Sequence, residues 1–285
     1  MPDYPERSVS RAAIRARRLA WFSAALFATA GLAHRFGLLE TPGFVAVLAI
    51  VPALALLALV FAAFGFLRLW HHGDQGGKNI AAAVVLSAVV LTPFGLMTYR
   101  AAIHPVLNDI STDLDDPPEF PNSRRNLSAG MNPLFPPTSE QKQAQMENYP
   151  QITGRRYDLQ FERMTGVVSA AVKAEGWTVV RQAEVTEEVE TTLEAVAYTP
   201  LFGFPSDVAI RLTDEGDTTY VDMRSASRYG DSDLGDNAAR IAAFLDRLGA
   251  DVSGLAGTLP RELVDDDTAS EEPADIPLPE PRPNG

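Results

Sequence analysis

The chain has 285 residues, 46% of them hydrophobic, with a formal net charge of −13. The charge is divided: residues 1–104 carry 9 Lys/Arg against 4 Asp/Glu, and residues 105–285 carry 15 against 33. That excludes one uniform globular domain, and the acidic back half argues against a nucleic-acid partner, which needs a basic footprint.

Three apolar runs come first. Leu19 to Leu39 is interrupted by His34 and Arg35, Gly43 to Leu67 is 25 residues without a charge, and Ile80 to Tyr99 is 20. A bilayer core of about 30 Å takes roughly 20 helical residues. This predicts a three-helix transmembrane anchor over 19–101, with spans near 19–39, 43–67 and 80–99. The first qualifies only if His34 and Arg35 reach the headgroup layer. It also has the form of a signal peptide, with an Arg-rich start and Ala28-Thr29-Ala30 as a cleavage site, which would leave two spans. Arg7, Arg11, Arg15, Arg17 and Arg18 precede the first run, and Arg68 and Lys78 separate the second from the third. Only Arg35 and Arg100 fall on the other side. The bias predicts a cytoplasmic N-terminus (1–18), a multi-pass protein of the cell (inner) membrane, and an extracytoplasmic C-terminal part.

Residues 102–156 are rich in Pro and read as an extended strap. Asp109, Asp113, Asp115 and Asp116 crowd its start. Clustered carboxylates suit Ca²⁺, but the loop Gly of a calcium-binding hand is missing, so no metal is expected. A short polar helix is predicted near Ser139–Glu147. From Tyr157 a folded pattern begins, expected to run over 157–250. Phe161, Met164, Val168, Ala171 and Val172 have helical spacing. Strands follow at Trp177–Val185, Thr191–Thr199, about 208–213 and Tyr220–Arg224, with polar turns at Glu187-Glu188 and Asp214–Asp217. Leu234, Ala238, Ile241, Leu245 and Leu248 step by four and three, a second amphipathic helix. The expected class is α+β: a four-stranded antiparallel sheet with two helices on one face. Residues 251–285 read as an acidic, Pro-rich disordered tail.

The stretch Tyr220-Val-Asp-Met-Arg-Ser-Ala-Ser-Arg-Tyr-Gly-Asp-Ser-Asp-Leu-Gly-Asp-Asn-Ala-Ala-Arg-Ile241 resembles the signature of the domain of unknown function 1499 (DUF1499) family. The strap Asn108-Asp-Ile-Ser-Thr-Asp-Leu-Asp-Asp-Pro-Pro and the Phe202-Gly203-Phe204 turn are also similar to it. The resemblance covers about 105–248, and the membrane-anchored layout is similar to its longer bacterial members. It implies no activity and no cofactor.

The signature is a strand end, a loop and a helix start. Its polar residues Arg224, Ser225, Ser227, Arg228, Asp231, Ser232, Asp233, Asn237 and Arg240 are the candidate site. One reading is an ionic net tying the strap carboxylates to the domain. A second is a pocket in which Arg224, Arg228 and Arg240 hold an anionic envelope lipid or wall fragment. A third is a carboxylate-dependent hydrolase using Asp222, Asp231 or Asp233 with Ser225 or Ser227. There is no Cys, and all four His (34, 71, 72 and 104) precede residue 105. A His-based triad or a Cys/His zinc site within the back half is therefore excluded. The Phe202/Phe204 tip either dips into the bilayer interface or folds over the sheet edge. The expected role is a binding or structural module of the cell envelope, with the lipid bilayer and an envelope lipid, wall fragment or membrane protein as partners.

Overall fold

A computed structural model describes residues 8–122, 128, 130–184 and 189–258. Arg7, the Glu187-Glu188 turn and the tail beyond Thr258 lie outside the described residues. Three long helices come first: α1 (Arg11–Arg35), α2 (Thr41–His72) and α3 (Gly77–Ile103). They pack through small side chains, Ala16 and Ala20 of α1 against Ala58, Ala62 and Ala83. Close approach of this kind is how helices associate where no water drives them together. At the tightest point an added Cβ on Gly65 would lie 3.1 Å from the Ala13 nitrogen. Ser23 Oγ donates to the Val51 carbonyl at 3.0 Å, tying α1 to α2 beside Pro52.

Among the described residues only α2 and α3 are long and apolar enough to cross a membrane, two helices rather than the three expected from sequence. The reason is charge placement. Helix α1 has 25 residues, but its charge-free stretch between Arg18 and His34 is 15. At about 1.5 Å per residue that is about 22 Å, short of a bilayer core.

Next in the chain are β1 (Asp109–Ser111), α4 (Ser139–Asn148), β2 (Arg155–Tyr157), α5 (Phe161–Ala174), β3 (Thr178–Arg181), β4 (Glu190–Tyr198), β5 (Pro205–Asp214), β6 (Thr219–Ser227) and α6 (Asp236–Thr258). The fold is α+β, but the antiparallel sheet has six strands, not four. Its order is β1-β6-β5-β4-β3, with β2 also on β6. Strands β1 and β2 lie end to end along β6, opposite residues 224–226 and 219–221. Each is three residues long, too short for side-chain alternation to register as a pattern. Helix α4 starts where Thr138 and Gln141 close a capping box.

Helices α5 and α6 cover one face of the sheet. Met164, Val168 and Val172 meet Leu193, Ile210, Leu212 and Met223, and Ile241, Phe244, Leu245 and Leu248 complete the core. Helix α6 continues to Thr258 with Val252 buried, so residues 251–258 are helical. The opposite face holds Glu194, Asp207, Arg211, Asp222 and Arg224, all buried. The strap lies across it.

The tip between β4 and β5 neither reaches free space nor folds over the sheet. Phe202 and Phe204 insert at the ends of α1 and α2, 5.8 and 5.7 Å from the Phe44 ring. His34 stacks on Phe44 at 4.5 Å, and its Nδ1–H donates to the Phe202 carbonyl at 2.6 Å. Arg35 donates to the Thr199 carbonyl, and Arg100 of α3 pairs with Asp236 at 2.7 Å. Both arginines at this end of the helices are thus engaged by the domain.

Candidate functional site

The pleat of β6 sends successive signature residues to opposite faces. Arg224 points to the outer face and Ser225 toward α6, so the nine candidate residues form two clusters with a loop between them.

On the outer face, Arg224 Nε and Nη2 fork onto Asp109 at 3.0 and 2.6 Å. Its Nη1 donates to the Pro118 carbonyl at 3.2 Å, and the guanidinium lies 5.2 Å over the Phe120 ring. Arg228 grips Asp207 at 3.0 and 2.6 Å. Arg211, opposite Asp222 in the β5–β6 register, bonds Asp116 at 2.7 Å and Asp222 at 3.1 Å, with Asp113 at 3.5 Å. Planar guanidinium–carboxylate pairs of this kind are both strong and directional. Burial nevertheless pushes the Asp222 carboxyl above its ordinary range, against the pull of Arg211. Asp113 also accepts from the amides of Asp115 and Asp116, closing a turn, and Asp115 reaches Lys142 at 2.7 Å. The four strap carboxylates are thus shared among three cations: Asp109 on Arg224, Asp113 and Asp116 on Arg211, and Asp115 on Lys142. Among the described residues no group of three His, Asp or Glu converges to hold a metal ion.

The inner cluster is a hydrogen-bond network. Ser225 Oγ donates to Asn237 Oδ1 at 2.9 Å, and Arg240 Nη1 donates to both atoms. Asn237 Nδ2 donates to the Asn108 carbonyl at 3.0 Å and to Ser227 Oγ at 3.1 Å. Burial holds the Arg240 guanidinium below its usual range. The serine hydroxyls thus contact amide and guanidinium, with no carboxylate to act as base, so the geometry supplies no nucleophile–base pair.

The loop turns through Leu234 (φ 56°) and Gly235 (φ 83°) before α6 begins at Asp236. A glycine is needed here, because a Cβ on Gly235 would sit 2.7 Å from the His104 ring. Asp233 accepts the amides of Gly235 and Asn237 at 2.9 and 2.8 Å, and Ser232 accepts that of Leu234. Burial raises the Asp233 carboxyl despite these bonds.

Beside Arg224, a cleft of about 310 Å³ opens between the strap and the segment leading into α4. Asp109, Ser111, Phe135, Gln141, Arg224 and Asp231 are among its walls. Sequence reasoning missed Arg211, Asp207, Ser111 and Phe135. The signal for Arg211 was present: the strap needs cations, and Arg211 shares its face of the sheet with Arg224.

Residues 109–248 match the family described as "Protein of unknown function (DUF1499)". The segment is similar to the DUF1499 family. The matched range opens on the first residue of β1, so the similarity takes in the strap from Asp109 onward. No curated protein matches the chain. The crystal structure of CalU16 from Micromonospora echinospora is similar over 36% of this chain and 76% of that one, at 18% identity and a TM-score of 0.25. A likeness of that size carries no argument about the DUF1499-like domain.

Proposed function

We propose that this chain is a multi-pass membrane protein whose DUF1499-like domain stands on the extracytoplasmic face as a binding module of the cell envelope. The observation that carries this is the charge difference between the two ends of the helical bundle. Arg11, Arg15, Arg17, Arg18, Arg68 and Lys78 lie at or near the end formed by the α2–α3 turn. There Ser10 bonds Gln75, and Arg17 bonds Asn79. The domain docks on the other end, where Arg35 and Arg100 already bond it. Positive charge stays on the cytoplasmic side. A binding role is favoured over catalysis because the signature serines contact an amide and a guanidinium rather than a carboxylate.

The chain has no Cys, which makes single-cysteine labelling clean. Cysteine replacing Asp217, in the β5–β6 turn, is expected to react with a membrane-impermeant maleimide in intact cells. Cysteine replacing His72 is expected to react only after lysis. Protection of the Asp217 position together with labelling of the His72 position would reverse the orientation and end the proposal.

A further inference from the structure

We propose that the cleft beside Arg224 binds an uncharged, polyhydroxylated ligand, a saccharide. The inference names the ligand class of the binding module above and rests on that reading. Among the described residues three ionisable side chains line the cleft: Arg224, Asp109 and Asp231. Arg224 and Asp109 already satisfy each other through a forked pair, and Asp231 leaves the walls with an excess negative charge. An anion would have to break that pair and would face two carboxylates. The cleft therefore selects against phosphate and carboxylate ligands.

What remains for a ligand is a set of half-used polar groups. Gln141 spends its Oε1 on the Thr138 amide, which leaves the Nε2 hydrogens free. Thr138 Oγ1 accepts from the Gln141 amide and keeps its own hydrogen to donate. Asp109 retains acceptor capacity beyond the Arg224 fork. The walls thus offer both donors and acceptors, which suits hydroxyl groups, each of which both gives and takes a hydrogen bond.

The rim adds an apolar platform. Phe135 is 72% exposed, on a segment stiffened by Pro133, Pro136 and Pro137. The C–H face of a pyranose ring is apolar and packs on such a ring while its edge hydroxyls reach the wall. The volume lies at the lower end of the range for small-molecule sites, about 300–1,000 Å³, which fits one or two sugar rings rather than a long chain.

The test uses the full chain in nanodiscs, titrated by calorimetry with cellobiose, maltose and chitobiose, with glucose against glucose phosphate, and with a neutral Pro-rich peptide. At least one neutral disaccharide is expected to saturate. Phe135→Ala is expected to weaken it by about ten-fold at an unchanged melting temperature. Absence of saturable binding by all three disaccharides overturns the proposal. So does tighter binding of the phosphate or of the peptide, or equal binding by wild type and Phe135→Ala. Calorimetry is blind to orientation in the cell, so this failure and a reversed labelling pattern are separate results.

Discussion

Arg224 and Asp109 meet across 115 residues of chain, their side chains 9% and 25% exposed. Truncating one leaves the other's charge shielded from water without its counterion. Arg224→Ala is expected to cost about 3 kcal/mol in urea unfolding. Combining it with Asp109→Ala is expected to cost less than the two single changes added together. Asp115, whose side chain is 95% exposed, also forms an ion pair, and Asp115→Ala is expected to leave the midpoint unchanged. Asp233 titrates in the opposite sense from most native carboxylates. Burial raises its folded-state value above the ordinary 3.8. The folded chain holds that proton more tightly than the unfolded one, so the group's contribution is largest at low pH. It is lost as pH rises from about 3.8 through the raised value. Asp233→Asn keeps a capping oxygen and removes the titration. Relative to this variant, wild type is expected to lose stability across that window, measured as a series of unfolding midpoints.

Among the elements, those with many repeats of their period were legible in the sequence and those with few were not. Helix α5 and strands β4, β5 and β6 lie within a few residues of their expected places, because each carries several turns or alternations. Strands β1 and β2 have one alternation apiece, and only pairing with β6 makes them strands. The start of α6 shifted from Leu234 to Asp236 because Leu234 adopts a left-handed backbone that ends the preceding loop. The aromatic tip was recognised as aromatic, but its destination depends on Phe44 and His34, well over 100 residues earlier, which no local pattern reveals. Phe204 faces three rings there. Phe204→Ser is expected to weaken the docking by about 2 kcal/mol. Amide exchange should quicken around 199–204 and at the end of α1, while β6 stays protected.

At the scale of the whole molecule the described residues form separate apolar cores, a large and a small one in the domain and two smaller ones among the helices. The sequence divides by charge near residue 104 and by apolar pattern at 157, because Pro and Asp in between suggest a solvated connector. The partners that make those residues structural, Arg211 and Arg224, lie on strands whose outer face looked solvent-bound. A fragment spanning 105–258 is therefore expected to fold by circular dichroism and to bind detergent through its uncovered Phe202 and Phe204. A fragment starting at residue 123 loses Ile110, Asp109, Asp116 and Phe120 and is expected to stay unfolded. The position of β1 also orders events in time. The ribosome makes this strand directly after α3, yet it has nothing to bond until β6 exists. Until then the half-built sheet offers an open edge to any neighbouring chain, so the interval between making Ser111 and making Ser227 is when this protein is most exposed to mispairing.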